Sequence, residues 1–71
     1  MKRTDIKTNV TDRERTVLRF LSQGATCHDI AEALAISERT VKFHISNIIR
    51  KLEAKNRTEA VVLAMGRGLL G

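Results

Sequence analysis

Residues 27–52 read CHDIAEALAISERTVKFHISNIIRKL, and two helical patterns meet inside this stretch at Ala35-Ile36. The longer pattern starts at Ser37, whose hydroxyl can accept from a free backbone N–H of the first turn, with Ile36 outside and Val41 inside placed as the halves of a hydrophobic staple. At 3.6 residues per turn Val41, Ile45, Ile48 and Leu52 share a stripe, with His44 and Ile49 at its edges. Arg39, Lys42, Phe43, Ser46, Asn47 and Arg50 fall on the other side. The spacing predicts a helix over 38–54 with one buried face and one cationic face.

The shorter pattern predicts a helix over 27–34, capped by Thr26 with Asp29 reaching back. Ile30 and Leu34 point to the core, and Ala31 between them is small enough for two helices to cross closely. The turn contains no glycine, so either its backbone avoids positive φ or Ala35 carries a small strain. Short helix, tight turn and longer helix form a helix-turn-helix, an arrangement that pushes the second helix outward to enter the major groove of DNA.

The flanks supply the rest of a core. Thr11 and Glu14 form a capping box, Val17, Leu18 and Leu21 recur at helical spacing with Phe20 beside them, and Gly24 closes a helix over 12–23. Asn56 and Glu59 open a fourth helix, short and apolar, which Gly66 and Gly68 end. Residues 1–9 are polar and without periodicity, so they read as a flexible arm or linker remnant ahead of a domain over 10–71. Nothing alternates as a strand does. The fold class is all-α with four helices.

Thirteen Lys and Arg against eight Asp and Glu give 71 residues a net charge of +5. From Arg39 to Arg57 the only anion is Glu53, so the positive charge is local and suits a polyanion better than a merely solvated surface. A lone Cys27 excludes an internal disulfide, the apolar run 60–65 is too short for a membrane span, and no secretory signal opens the chain. A soluble, cytoplasmic, nucleoid-associated protein is expected. Two histidines, one thiol and no paired carboxylates or phosphate loop give no basis for an enzyme. Cys27, His28 and His44 lack the spacing of a zinc site, so neither metal nor cofactor is expected.

On the cationic helix, Arg39 and Lys42 stand on the first two turns, where they can bond guanine O6 and N7. Phe43 lies opposite the buried stripe, suited to a thymine methyl or to packing against another protein surface. His44 reads as a hydrogen-bonded structural histidine ahead of a phosphate or base contact, and His28 either faces a DNA phosphate or stands in solvent. On the fourth helix, six consecutive apolar residues distribute their side chains all the way round, so one face lies in water unless a second copy covers it. Ala60, Val62, Met65 and Gly66 are the candidate contacts. A helix wholly absorbed by its own core is the alternative.

The segments VTDRERTVLRFLSQG at 10–24 and ATCHDIAEALAISERTVKFHISNIIRKLEAKNRTEAV at 25–61 resemble the LuxR-type, or GerE/FixJ-NarL type, helix-turn-helix domain of bacterial transcription regulators. The run from FHISNIIRKL onward, with its late GLL, looks most like the quorum-sensing branch. The resemblance implies a LuxR/GerE-type four-helix fold, helix three in the major groove of double-stranded DNA, and homodimerisation through helix four. Lys42, Phe43 and Ser46 match the family's base-facing positions, and Thr26, Thr40 and Lys51 match its phosphate-approaching ones. Asn47 and Arg39 complete the expected base-contacting set, and His28 and Arg50 the phosphate set. RNA polymerase is a further candidate partner. Cys27-His28 departs from the family's usual polar residue followed by Lys, which puts a phosphate contact there in doubt. Two organisations stay open, an excised DNA-binding domain and a stand-alone regulator. The function expected is a sequence-specific transcription regulator, dimeric on an inverted repeat. The rival is an interaction module of the same fold that silences full-length relatives by pairing. An RNA-binding domain is disfavoured because Tyr and Trp, the usual stacking platforms, are absent.

Overall fold

A computed structural model describes residues 10–70, so the arm expected over 1–9 lies outside the described residues. The chain forms α1 (Asp12–Ser22), α2 (Cys27–Leu34), α3 (Glu38–Leu52) and α4 (Arg57–Gly66). Each of the four described helices starts on a side-chain cap, because Thr11, Thr26, Ser37 and Asn56 each accept the backbone N–H three residues on. Thr11–Glu14 and Thr26–Asp29 are reciprocal capping boxes. At α4 the returning carboxylate, Glu59, takes the N–H of Lys55 at 2.6 Å.

The four helix ends share one device. Gly24, Ala35, Glu53 and Gly68 all have positive φ, and after each the next N–H reaches back to the carbonyl five residues earlier: Ala25 to Phe20, Ile36 to Ala31, Ala54 to Ile49 and Leu69 to Ala64. Both residues of every such pair are apolar and belong to or pack against the core. The backbone at Ala35, φ 58° and ψ 43°, therefore settles the open question of that turn in favour of strain. Glu53 does the same at φ 57°, which ends α3 at Leu52 instead of residue 54. Gly66 closes α4 without turning the chain, and Gly68 makes the turn. At the far end of α1, Gln23 is the cap rather than a helical residue.

Helix α3 is the axis of the packing, touching α1, α2 and α4. Val41, Ile45, Ile48 and Leu52 are buried against Val17 and Leu18 of α1, Ile30 and Ala31 of α2, and Ala60 and Ala64 of α4. Glu14 is the one buried charged residue described, 4% exposed. Its Oε1 accepts from Lys51 Nζ at 2.8 Å and from the Thr11 N–H at 3.0 Å, so one carboxylate caps α1 and ties it to the last turn of α3. Burial pushes the Glu14 pKa up, but the Lys51 and Thr11 hydrogen bonds with the Lys51 charge outweigh it and hold the carboxyl below its ordinary value. Among the described residues, no helix is long and apolar enough to cross a membrane.

Candidate nucleic-acid interface

Since all three neighbours pack on one side of α3, its other side is left outward. Arg39, Lys42, Phe43, Ser46 and Arg50 are exposed there, Phe43 at 63%. The first turn is ordered by Ser37, which accepts the Thr40 N–H at 3.0 Å and shares a hydroxyl contact of 2.9 Å with Thr40. Half-buried Asn47 points its Oδ1 at Arg50 Nη2, 2.6 Å away, which orients the guanidinium and leaves the Asn47 amide group to donate. His44 is half-buried beside Phe43, ring centroids 6.2 Å apart and tilted.

Lys42 and Ser46 look toward the start of α4 and, with Ile45, Ile49, Asn56 and Arg57, line a shallow concavity between the two helices. Arg57 joins Lys42 there, and its Nη1 lies 3.7 Å from Cys27 Sγ at the start of α2. Nothing in the periodicity singles Arg57 out. A signal was present nonetheless, because a cation at the first position of a helix opposes the helix dipole and requires another reason to be there.

The expected phosphate set divides. Thr26 is exposed and its hydroxyl accepts from Asp29 N, leaving its own proton to donate. Thr40 is half-buried with its hydroxyl against Ser37, and Arg50 is open. The Lys51 ammonium is engaged by Glu14 at 2.8 Å and 23% of its side chain is exposed, so it also fastens α3 to α1. His28 lies between two carboxylates, Nδ1 3.1 Å from Glu38 and Nε2 3.5 Å from Glu32. The Glu38 hydrogen bond, and next the Glu32 charge, raise its pKa. Asp29 is held below its ordinary value by the backbone N–H of Thr26.

On α4, Val62 and Met65 are each 60% exposed and Gly66 is open beside them, whereas Ala60 is 1% exposed. Ala60 is thus corrected from the open face to the core, where the small side chain lets α4 lie close to the rest of the chain.

The sequence pattern of the family described as bacterial regulatory proteins, luxR family, matches residues 8–64. The chain belongs to that family. Over 61 residues it is 48% identical to the transcriptional activator protein SolR of Ralstonia solanacearum, covering 86% of this chain and 26% of SolR. It is 45% identical over 64 residues to the HTH-type quorum sensing-dependent transcriptional regulator RpaR of Rhodopseudomonas palustris, covering 90% and 26%. The LuxR-family chain thus spans about a quarter of the length of these relatives. The solved structure of the transcription factor GerE superposes with a TM-score of 0.83 at 39% identity, over 86% of this chain and 91% of GerE. The four-helix arrangement is the GerE-type helix-turn-helix, and the chain carries the DNA-binding domain of a family of transcription regulators, not of enzymes. RpaR's description matches the resemblance to the quorum-sensing branch.

Proposed function

We propose that this LuxR-family domain binds double-stranded DNA sequence-specifically by inserting α3 in the major groove, as a homodimer paired through α4 on an inverted repeat. The observation that carries the reading is the two-faced α3: Val41, Ile45, Ile48 and Leu52 buried on one side, and Arg39, Lys42, Phe43, Ser46 and Arg50 open on the other. Lys42 and Arg39 read guanine edges, Ser46 and Asn47 bond neighbouring base edges, and Phe43 meets a thymine methyl. Arg50, Thr26, Thr40 and Arg57 lie toward the phosphates, which position the helix without reading sequence.

Two-fold pairing through Val62, Met65 and Gly66 would set two copies of α3 in successive major grooves, with half-site centres about 10 bp apart. Regulation of transcription, with RNA polymerase as a further partner in a cytoplasmic, nucleoid-associated setting, follows as the expected use. The rival pairing module is disfavoured by the open cationic face of α3, which such a module does not need.

Fluorescence anisotropy across a salt series, using duplexes selected from a random library, tests the reading. Binding weakens log-linearly with salt, with a slope of roughly −0.9 for each phosphate neutralised. Lys42→Ala relaxes base preference at one half-site position by ~1–3 kcal/mol, while Arg57→Ala weakens all duplexes alike. No duplex binding even at low salt would remove the DNA reading and favour the pairing module.

A further inference from the structure

At the corner between α2 and α3, the His28 ring spans carboxylates from both helices, with Nδ1 3.1 Å from Glu38 Oε2 and Nε2 3.5 Å from Glu32 Oε2. A neutral imidazole has a single N–H, so it can donate to one of these carboxylates only and must turn a lone pair toward the other. Both approaches are favourable only for the imidazolium. The charged groups facing the ring are Asp29 and Glu32 from α2 and Glu38 from α3; from α4, Arg57 reaches the preceding residue, Cys27. All three members of the clasp are open to solvent, their side chains 63% exposed for His28, 71% for Glu32 and 51% for Glu38. A polyanion lying along this corner therefore senses their summed charge.

Glu38 is the first residue of α3 and precedes Arg39 on the turn that enters the groove under the DNA reading, on which this inference rests. Carboxylates near the N-termini of α2 and α3 stabilise those helices, but they also repel a phosphate that approaches the same ends. We propose that His28 is a proton-gated charge on the DNA-facing corner, so that the domain binds duplex DNA more tightly when the ring carries its second proton. The doubly protonated ring offsets one carboxylate and holds Glu38 aside. Losing that proton leaves Asp29, Glu32 and Glu38 without a cation between them. A nearby polyanion favours the charged ring, so binding takes up a proton and affinity rises as pH falls through the range in which His28 titrates.

The test is anisotropy at fixed ionic strength on a selected duplex, at about pH 6 and about pH 8, values that bracket an ordinary histidine. The natural chain binds severalfold more tightly at the lower pH. His28→Gln removes that step, His28→Lys binds at the tighter level at both values, and His44→Gln keeps the step. Titration of the His28 ring by NMR, free and bound, shows a higher pKa in the complex. A step that survives in His28→Gln, or binding that weakens on acidification, overturns the proposal while leaving the DNA reading intact. Absence of duplex binding at both values overturns the two together.

Discussion

Ala35 holds a backbone in which its Cβ crowds the following carbonyl, a conformation that costs a non-glycine residue about 1–2 kcal/mol. Glycine relieves the crowding but loses more entropy on folding, so Ala35→Gly is expected to stabilise the chain by about 0.5–1 kcal/mol, read from the midpoint of urea unfolding. A lower midpoint would mean that the turn carries no strain. At the other turn of this kind, Glu53, the same relief is available. Phe43 makes a contrasting case. Its ring is 63% exposed and contributes little to the core, so Phe43→Ala is expected to leave stability within about 0.5 kcal/mol. On DNA the two partners should be coupled: deoxyuridine in place of thymine at one half-site position weakens the natural chain and leaves Phe43→Ala indifferent. Equal losses in both proteins would take Phe43 away from the methyl group.

Between helices, Glu14 and Lys51 are the polar fastening of α1 to α3. Lys51→Met leaves a buried carboxylate without its ammonium and is expected to cost about 1–3 kcal/mol, with base preference and salt slope on DNA unchanged. In the natural chain the Glu14 carboxyl lies below its ordinary value of 4.5, so its stabilisation is complete above that value and is lost as pH falls through the lowered one. Thermal midpoints between about pH 3 and pH 7 should therefore fall on acidification, and by less in Lys51→Met, where burial raises the carboxyl pKa with no lysine to oppose it. An equal acid loss in both would show that the pair does not contribute. The caps at Thr11, Thr26, Ser37 and Asn56 were legible in the sequence because cap and partner stand three residues apart. Gly24 and Gly68 were legible as turns because glycine marks positive φ. Ala35 and Glu53 carry no such mark, and Lys51 reads as one more exposed cation until the crossing of α1 and α3 brings it to a residue 37 positions away. The cationic face of α3 was visible because it is periodic, whereas Arg57 comes to line one concavity with Lys42 and Ser46 through tertiary packing alone.

Across the whole molecule, the proposed pairing rests on the open face of α4, where Val62 and Met65 are exposed. Val62→Glu sets a charge where Val62 is already 60% exposed, so the monomer stays folded while pairing on a palindromic duplex is lost. Sedimentation with and without that duplex reads the stoichiometry, and two copies bound with unchanged affinity would exclude this face. The shared helix ends have a consequence for speed. Each of the four is closed by hydrogen bonds reaching back no more than five residues, and the links over 23–26, 35–37 and 53–56 are short, so among the described residues each reversal between helices is set by near neighbours. Closing such short links costs little entropy, and helical domains dominated by local contacts fold in microseconds to milliseconds. Under the DNA reading, a domain whose reversals are this local is expected to re-form quickly after each opening, so that unfolding interrupts binding only briefly.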